Sequence, residues 1–68
     1  MMEENQRDAN TLRRFIRHDV YLMTKQALML FKAATDDKPA IELDELLAYV
    51  QERVNSAEQK IEALREIE

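Results

Sequence analysis

Residues Leu12–Ala34, LRRFIRHDVYLMTKQALMLFKAA, decide how this 68-residue chain folds. The stretch holds both phenylalanines, two of the four methionines, five of the ten Lys+Arg residues and one acid, Asp19. Neither glycine nor proline interrupts it, and Leu, Met, Ala, Lys, Arg and Gln dominate it, all of them good helix formers. Ile16, Val20, Met23, Ala27, Leu30 and Ala34 recur three and four residues apart, which predicts a helix with one continuous apolar seam. Phe15, Leu22 and Met29 form a second row on a neighbouring face, with Tyr21 and Leu28 beside it. One seam requires one partner helix; two require more than one.

Towards the N-terminus, Ala9 stands one heptad before Ile16, while Asn5 and Asp8 are candidate caps. The first helix is therefore expected over about residues 6–34, with the first four or five residues frayed. On the other side, Thr35-Asp36-Asp37-Lys38-Pro39 reads as a turn, because Asx residues favour turns and proline disfavours helix in the residue before it. A second helix is expected over about residues 40–66, its start uncertain by about four residues, with Asp37 or Asp44 as alternative caps. Leu43, Leu47, Val50, Val54, Ala57, Ile61 and Leu64 keep a narrow heptad seam along it, the pattern of coiled-coil-like packing. The expected fold is all-α. A single domain over residues 1–68 forms an antiparallel two-helix hairpin that dimerises into a four-helix bundle.

Placing Leu30 opposite Leu47 sets the register. Ala34 then meets Leu43, Ala27 meets Val50, Met23 meets Val54, Val20 meets Ala57, and Ile16 meets Ile61. Beside the seam the same register pairs Leu12 with Ile67, Asp19 with Lys60, Gln26 with Arg53 and Ala33 with Leu46. On the other edge Arg17 meets Glu58 and Thr24 meets Gln51. No like charges face one another, and such pairs select a register more than they stabilise it. Phe15, Leu22 and Met29 remain uncovered, and burial of each would contribute roughly 1.5–3 kcal/mol. Homodimerisation through the first helix is the plain explanation for that row; docking of a target is the sharper one.

Composition narrows the chemistry. With no cysteine and one histidine there is no disulfide framework, thiol nucleophile or zinc-finger spacing. The lack of glycine excludes phosphate-cradling and dinucleotide-binding loops. Seven titratable residues, Arg13, Arg14, Arg17, His18, Asp19, Lys25 and Lys32, break any membrane span across Leu12–Ala34. The opening MMEENQRDAN has no apolar core of the secretory kind, so a cytoplasmic location is expected. Small folds without disulfides or metals usually gain stability from a second subunit. The net charge of −4 is unevenly spread: residues 1–11 carry three acids and one base, 12–34 one acid and five bases, and 35–68 ten acids and four bases. A basic helix beside an acidic one follows.

Arg14, His18, Tyr21, Lys25 and Lys32 share an outer stripe of the first helix. Basic residues with an aromatic among them suit phosphate contacts and base stacking, although an ordinary solvated face has the same look and an acidic second helix repels phosphate. His18 lacks a histidine or carboxylate three or four residues away, Asp36-Asp37 lacks the further carboxylates and glycine of a calcium loop, and no nucleophile–base pair is in evidence. A non-enzyme without cofactor or metal is expected.

Arg14-Phe15-Ile16-Arg17, within a hairpin pattern, resembles the Rop family of plasmid RNA-binding proteins, which are antiparallel dimeric four-helix bundles. The resemblance implies that Phe15 contacts RNA. Asp19 and Gln26 stand where that family has an amide and a lysine, and the connection between the helices is longer here. Glu42-Leu43-Asp44 is similar to the core motif of the sporulation phosphatase peptides, with Ala40 in place of the serine of that motif, and no function is carried over from it.

The leading expectation is a small dimeric helical adaptor or inhibitor that binds and regulates another protein, of the size found among phage and plasmid regulators. Its partner-binding residues would be Arg14, Phe15, His18, Tyr21, Leu22, Lys25, Leu28, Met29 and Lys32. The alternatives are a Rop-like RNA- or DNA-binding regulator using Arg14, Phe15, Tyr21 and Lys25, and a structural subunit of a helical assembly.

Overall fold

The computed structural model describes the backbone of residues 2–68 and the side chains from residue 6 onward. Two α-helices, α1 (Met2–Thr35) and α2 (Ala40–Ile67), pack against each other as an antiparallel hairpin. The rod measures 53 × 14 × 11 Å. Helix α1 begins earlier than the expected residue 6, so Asn5 and Asp8 lie inside it rather than capping it. Nothing in the segment before Ala9 breaks a helix, and its Glu, Gln and Arg residues propagate one well. The side chains of residues 1–5, where fraying was expected, lie outside the described residues.

The turn has a specific geometry. Asp37 adopts a left-handed conformation with φ 57°. Around it the Lys38 N–H donates to the Ala33 carbonyl at 3.0 Å and the Asp37 N–H to the Ala34 carbonyl at 3.3 Å. These are the two bonds of a Schellman cap, which satisfies carbonyls that the end of a helix leaves free. An aspartate fills the position where glycine is commonest, since short polar side chains tolerate that region better than most. Pro39, extended at φ −66° and ψ 155°, is the residue before α2, and no side chain caps that helix. Neither Asp37 nor Asp44 therefore serves as its cap. The Pro39 carbonyl instead accepts from the N–H groups of Glu42 and Leu43, at 3.0 and 3.2 Å.

The helices keep Ile16, Met23, Leu30, Leu43, Val50, Val54, Ala57 and Leu64 of the expected seam turned in, but the contact is shifted to one side of it. Asp19 is only 2% exposed, whereas Val20, Leu47 and Ile61 keep 46%, 41% and 41% of their surface. On α1 the less exposed residues are Ala9, Leu12, Ile16, Asp19, Leu22, Met23, Gln26, Leu30 and Ala33; Ala27 and Ala34 are exposed. On α2 they include Leu43, Leu46, Val50, Arg53, Ala57, Lys60, Leu64 and Ile67. Each helix is thus rotated so that the pairs expected beside the seam move into it. The axial alignment of Asp19 with Lys60 is retained, their charged atoms 2.5 Å apart.

That rotation has an electrostatic cause. Asp19 accepts hydrogen bonds from Ser56 Oγ at 2.9 Å and from Lys60 Nζ. Arg53 Nη1 lies 3.7 Å from its other oxygen. The Lys60 hydrogen bond, helped by Ser56 and by both positive charges, outweighs the opposing effect of burial and holds the Asp19 carboxyl below its ordinary range. A buried carboxylate survives only when paired and hydrogen-bonded in this way. Arg53 therefore turns to Asp19 rather than to its expected neighbour Gln26, whose buried Oε1 has no hydrogen-bond partner among the described residues. Arg17 and Glu58 form no ion pair, while Arg13 Nη2 and Glu68 Oε2 do, at 2.5 Å across the open end.

The hairpin consequently has very little core of its own. Among the described residues the buried hydrophobic ones are Ala9, Ala33 and Ala57, and no large side chain is fully buried.

Candidate functional site

The rotation leaves two long flanks, one on each side of the contact between helices. The aliphatic flank carries Val20, Ala27 and Ala34 from α1 and Leu47, Val54 and Ile61 from α2, since these positions follow the buried ones by one residue and point about 100° away on a helix of 3.6 residues per turn. At the open end of the rod this flank forms a shallow groove between Ile16, Ile61 and Leu64, rimmed by Arg13, Arg14 and Arg17. The salt bridge between Arg13 and Glu68 spans the helices on the same side.

The opposite, aromatic flank carries Phe15, Leu22 and Met29 from α1 and Tyr49 from α2. Beyond it, around the back of α1, lie His18, Lys25 and Lys32 and then Arg14, Tyr21 and Leu28. The residues expected to bind a partner fall on this surface, with Arg14 reaching round the back of α1 to the rim of the aliphatic groove as well. Phe15, Tyr21, Leu28 and Met29 are 50–67% exposed, and Leu22 is half-buried beside the contact between helices. Lys25 Nζ sits 4.9 Å from the centroid of the Tyr21 ring, a cation–π distance. This contact holds the tyrosine against its own helix and keeps a positive charge at the centre of the surface. Near the turn, Met29, Lys32, Ala33 and Leu46 line a second depression.

Two exposed apolar residues fall outside the expected set. Phe31, 70% exposed, borders the aliphatic flank, and Ile41, 69% exposed, lies on the outer side of α2. Periodicity does not single out either one, because neither shares a heptad row with another large apolar residue: Arg17 and Thr24 precede Phe31 in its row, and Ala48 and Asn55 follow Ile41 in its own.

Among the described residues no three His, Asp or Glu side chains converge as metal ligands. The Asp19 carboxylate is held below its ordinary range by its lysine and serine partners, and its oxygens are occupied inside the rod. Neither helix is long and apolar enough to cross a membrane. Compared with known families, curated proteins and solved structures, the chain matches none of them.

Proposed function

We propose that this chain is a homodimeric helical interaction module that regulates a second protein by binding it on the outer face of α1. One observation carries the reading: Phe15, Tyr21, Leu28, Met29 and Phe31 each keep half or more of their surface exposed, while no large side chain among the described residues is fully buried. Contiguous apolar surface of this extent is uncommon on soluble monomers and marks interaction sites. The accessible surface of 5679 Å² exceeds the roughly 4,500 Å² of an average folded monomer of this mass. The excess of about 1,200 Å² is larger than the roughly 800 Å² that each partner gives to a standard interface.

The two exposed flanks allow a division of labour. A second copy covers one, and the other, with Phe15, Tyr21, Leu28 and Met29 among basic residues, receives the target. Large side chains in a polar rim are the usual anchors of such contacts.

Sedimentation equilibrium at micromolar concentration tests the dimer, and a folded 8.1 kDa monomer refutes it. Affinity capture from nuclease-treated lysate tests the target class. Tyr21→Ala with Leu28→Ala should release the captured protein, and changing Arg14, Lys25 and Lys32 to glutamine should weaken capture less. The Rop-like reading is favoured by a separate observation, the pairing of Lys25 with the Tyr21 ring in a basic row. It requires a salt-sensitive shift of RNA or DNA in a gel that the triple glutamine variant abolishes.

A further inference from the structure

The homodimer of the preceding section can be built in two ways, and the charges of the two helices choose between them. Two hairpins stacked face to face obey one of two two-fold axes. With the axis parallel to the rods, α1 of each copy lies on α2 of the other and both turns sit at the same end. With the axis perpendicular to the rods and in the plane of the interface, α1 lies on α1, α2 on α2, and the turns sit at opposite ends. All neighbouring helices are antiparallel either way, so the helix dipoles do not discriminate.

The internal salt-bridge cluster sharpens the contrast between the helices. Helix α2 has seven carboxylates and three bases between Ala40 and Ile67, but Arg53 and Lys60 are spent on the buried Asp19. Its outer surface is left with the carboxylates and Arg65. Residues 12–34 of α1 have five bases and only one acid, Asp19 itself, so their outer surface is wholly basic. Of the α1 bases, Arg17 borders the aliphatic flank without a partner inside the hairpin, and no carboxylate of residues 12–34 lies on that flank. Stacking α1 on α1 through it would leave Arg17 without a counter-ion, whereas stacking α1 on α2 sets it against Glu58 of the other copy.

We infer that two copies join through the aliphatic flanks, with α1 of each lying on α2 of the other and both turns at the same end of the bundle. The flank with Val20, Leu47, Val54 and Ile61 is the covered one, since its apolar residues are aliphatic and come from both helices. Small Ala27 and Ala34 on α1 then oppose the larger Leu47 and Val54 of the other copy. The Ile16–Ile61–Leu64 groove of one copy faces the same groove of the other across the two-fold axis. Arg17 and Glu58, which form no ion pair within the hairpin, come level with each other between copies. Two such pairs result, one on each edge of the interface.

This arrangement rests on the homodimer reading, and its test separates the two. The chain lacks cysteine, so a single Lys38→Cys at the turn places one spin label per copy in the full-length protein. Distances between labels should fall near 20 Å or less, because packed helices lie about 8–10 Å apart. A distance near the 53 Å length of the rod overturns the arrangement while leaving a dimer. A monomer by sedimentation equilibrium overturns the dimer itself. Ile61→Glu should dissociate the dimer and Phe15→Glu should not; the reverse outcome assigns the interface to the aromatic flank. If Ile61→Glu also unfolds the chain, the edge pairs decide. Arg17→Glu should raise the dimer dissociation constant on the order of 3- to 10-fold, and adding Glu58→Arg should restore it. Absence of that rescue refutes the pairing of α1 on α2.

Discussion

Asp19 and Val20 are adjacent in sequence and opposite in fate. The carboxylate is buried between the helices with Ser56, Lys60 and Arg53 around it, and the valine looks outward. The same contrast recurs one heptad further along α1, where Gln26 is turned in and Ala27 out. A lone hairpin ordered by the hydrophobic effect would show the reverse. The difference teaches that the Asp19 cluster sets how far each helix is rotated, while Phe15, Tyr21, Leu28, Met29 and Phe31 remain for contacts the hairpin does not make with itself. Buried ion pairs are weak sources of stability, but breaking one is costly, and their best-attested use is to specify register.

The largest effect should come from breaking the inner side of that contrast. Asp19→Ala leaves Lys60 and Arg53 facing each other without their counter-ion. A fully buried pair broken in this way costs about 3–5 kcal/mol. Both bases keep part of their solvent contact, so a loss of roughly 2–3 kcal/mol in chemical denaturation is the expected outcome. Asp19→Leu combined with Lys60→Leu should recover most of this loss. Continued instability of the double variant would mean that the charges stabilise rather than specify.

Acid should reach the same cluster without mutation. The folded carboxyl titrates below its unfolded value of 3.8, so its contribution is fully present above that value. It is lost as pH falls from about 4 through the lower folded pKa. Thermal unfolding followed from pH 6 down to pH 2 should show a steeper acid loss in the native chain than in Asp19→Asn. Parallel curves would remove Asp19 from the account.

A smaller effect is expected at the turn, which sets the axial alignment bringing Asp19 to Lys60. Asp37→Gly relieves the left-handed backbone at φ 57° and should stabilise the hairpin by a few tenths to about 1 kcal/mol, the gain reduced by the greater freedom of glycine in the unfolded chain. The outward side should give the smallest change in stability. Tyr21→Ala and Leu28→Ala, both on exposed positions, should move denaturation midpoints by no more than about 0.5 kcal/mol. A large loss would show that this surface is buried in the dimer.

Much of this was legible in the chain. The uninterrupted helical run over Leu12–Ala34 and the breakers at Asp36, Asp37 and Pro39 lead to two helices, and matching charges at Asp19 and Lys60 lead to their alignment. The outer surface with Phe15, Tyr21, Lys25, Leu28 and Met29 was equally plain, because spacings of three, four and seven place residues on one side of a helix whatever it packs against. The rotation of the helices was not. Two stripes on α1, Asp19–Gln26–Ala33 and Val20–Ala27–Ala34, differ by a single residue, and apolar periodicity favours the second. The first is turned inward because the partners of Asp19 are supplied by α2, 37 and 41 residues further along the chain.

Sequence alone determined what each helix is: its apolar and charged rows, the turn that ends it, and the imbalance of charge between the two. These properties follow from backbone preference and local spacing. Only the tertiary structure decided which row lies inside. A carboxylate can be buried once its desolvation is offset by a lysine, an arginine and a serine from the other helix, and those contacts exist only after the chain has doubled back on itself.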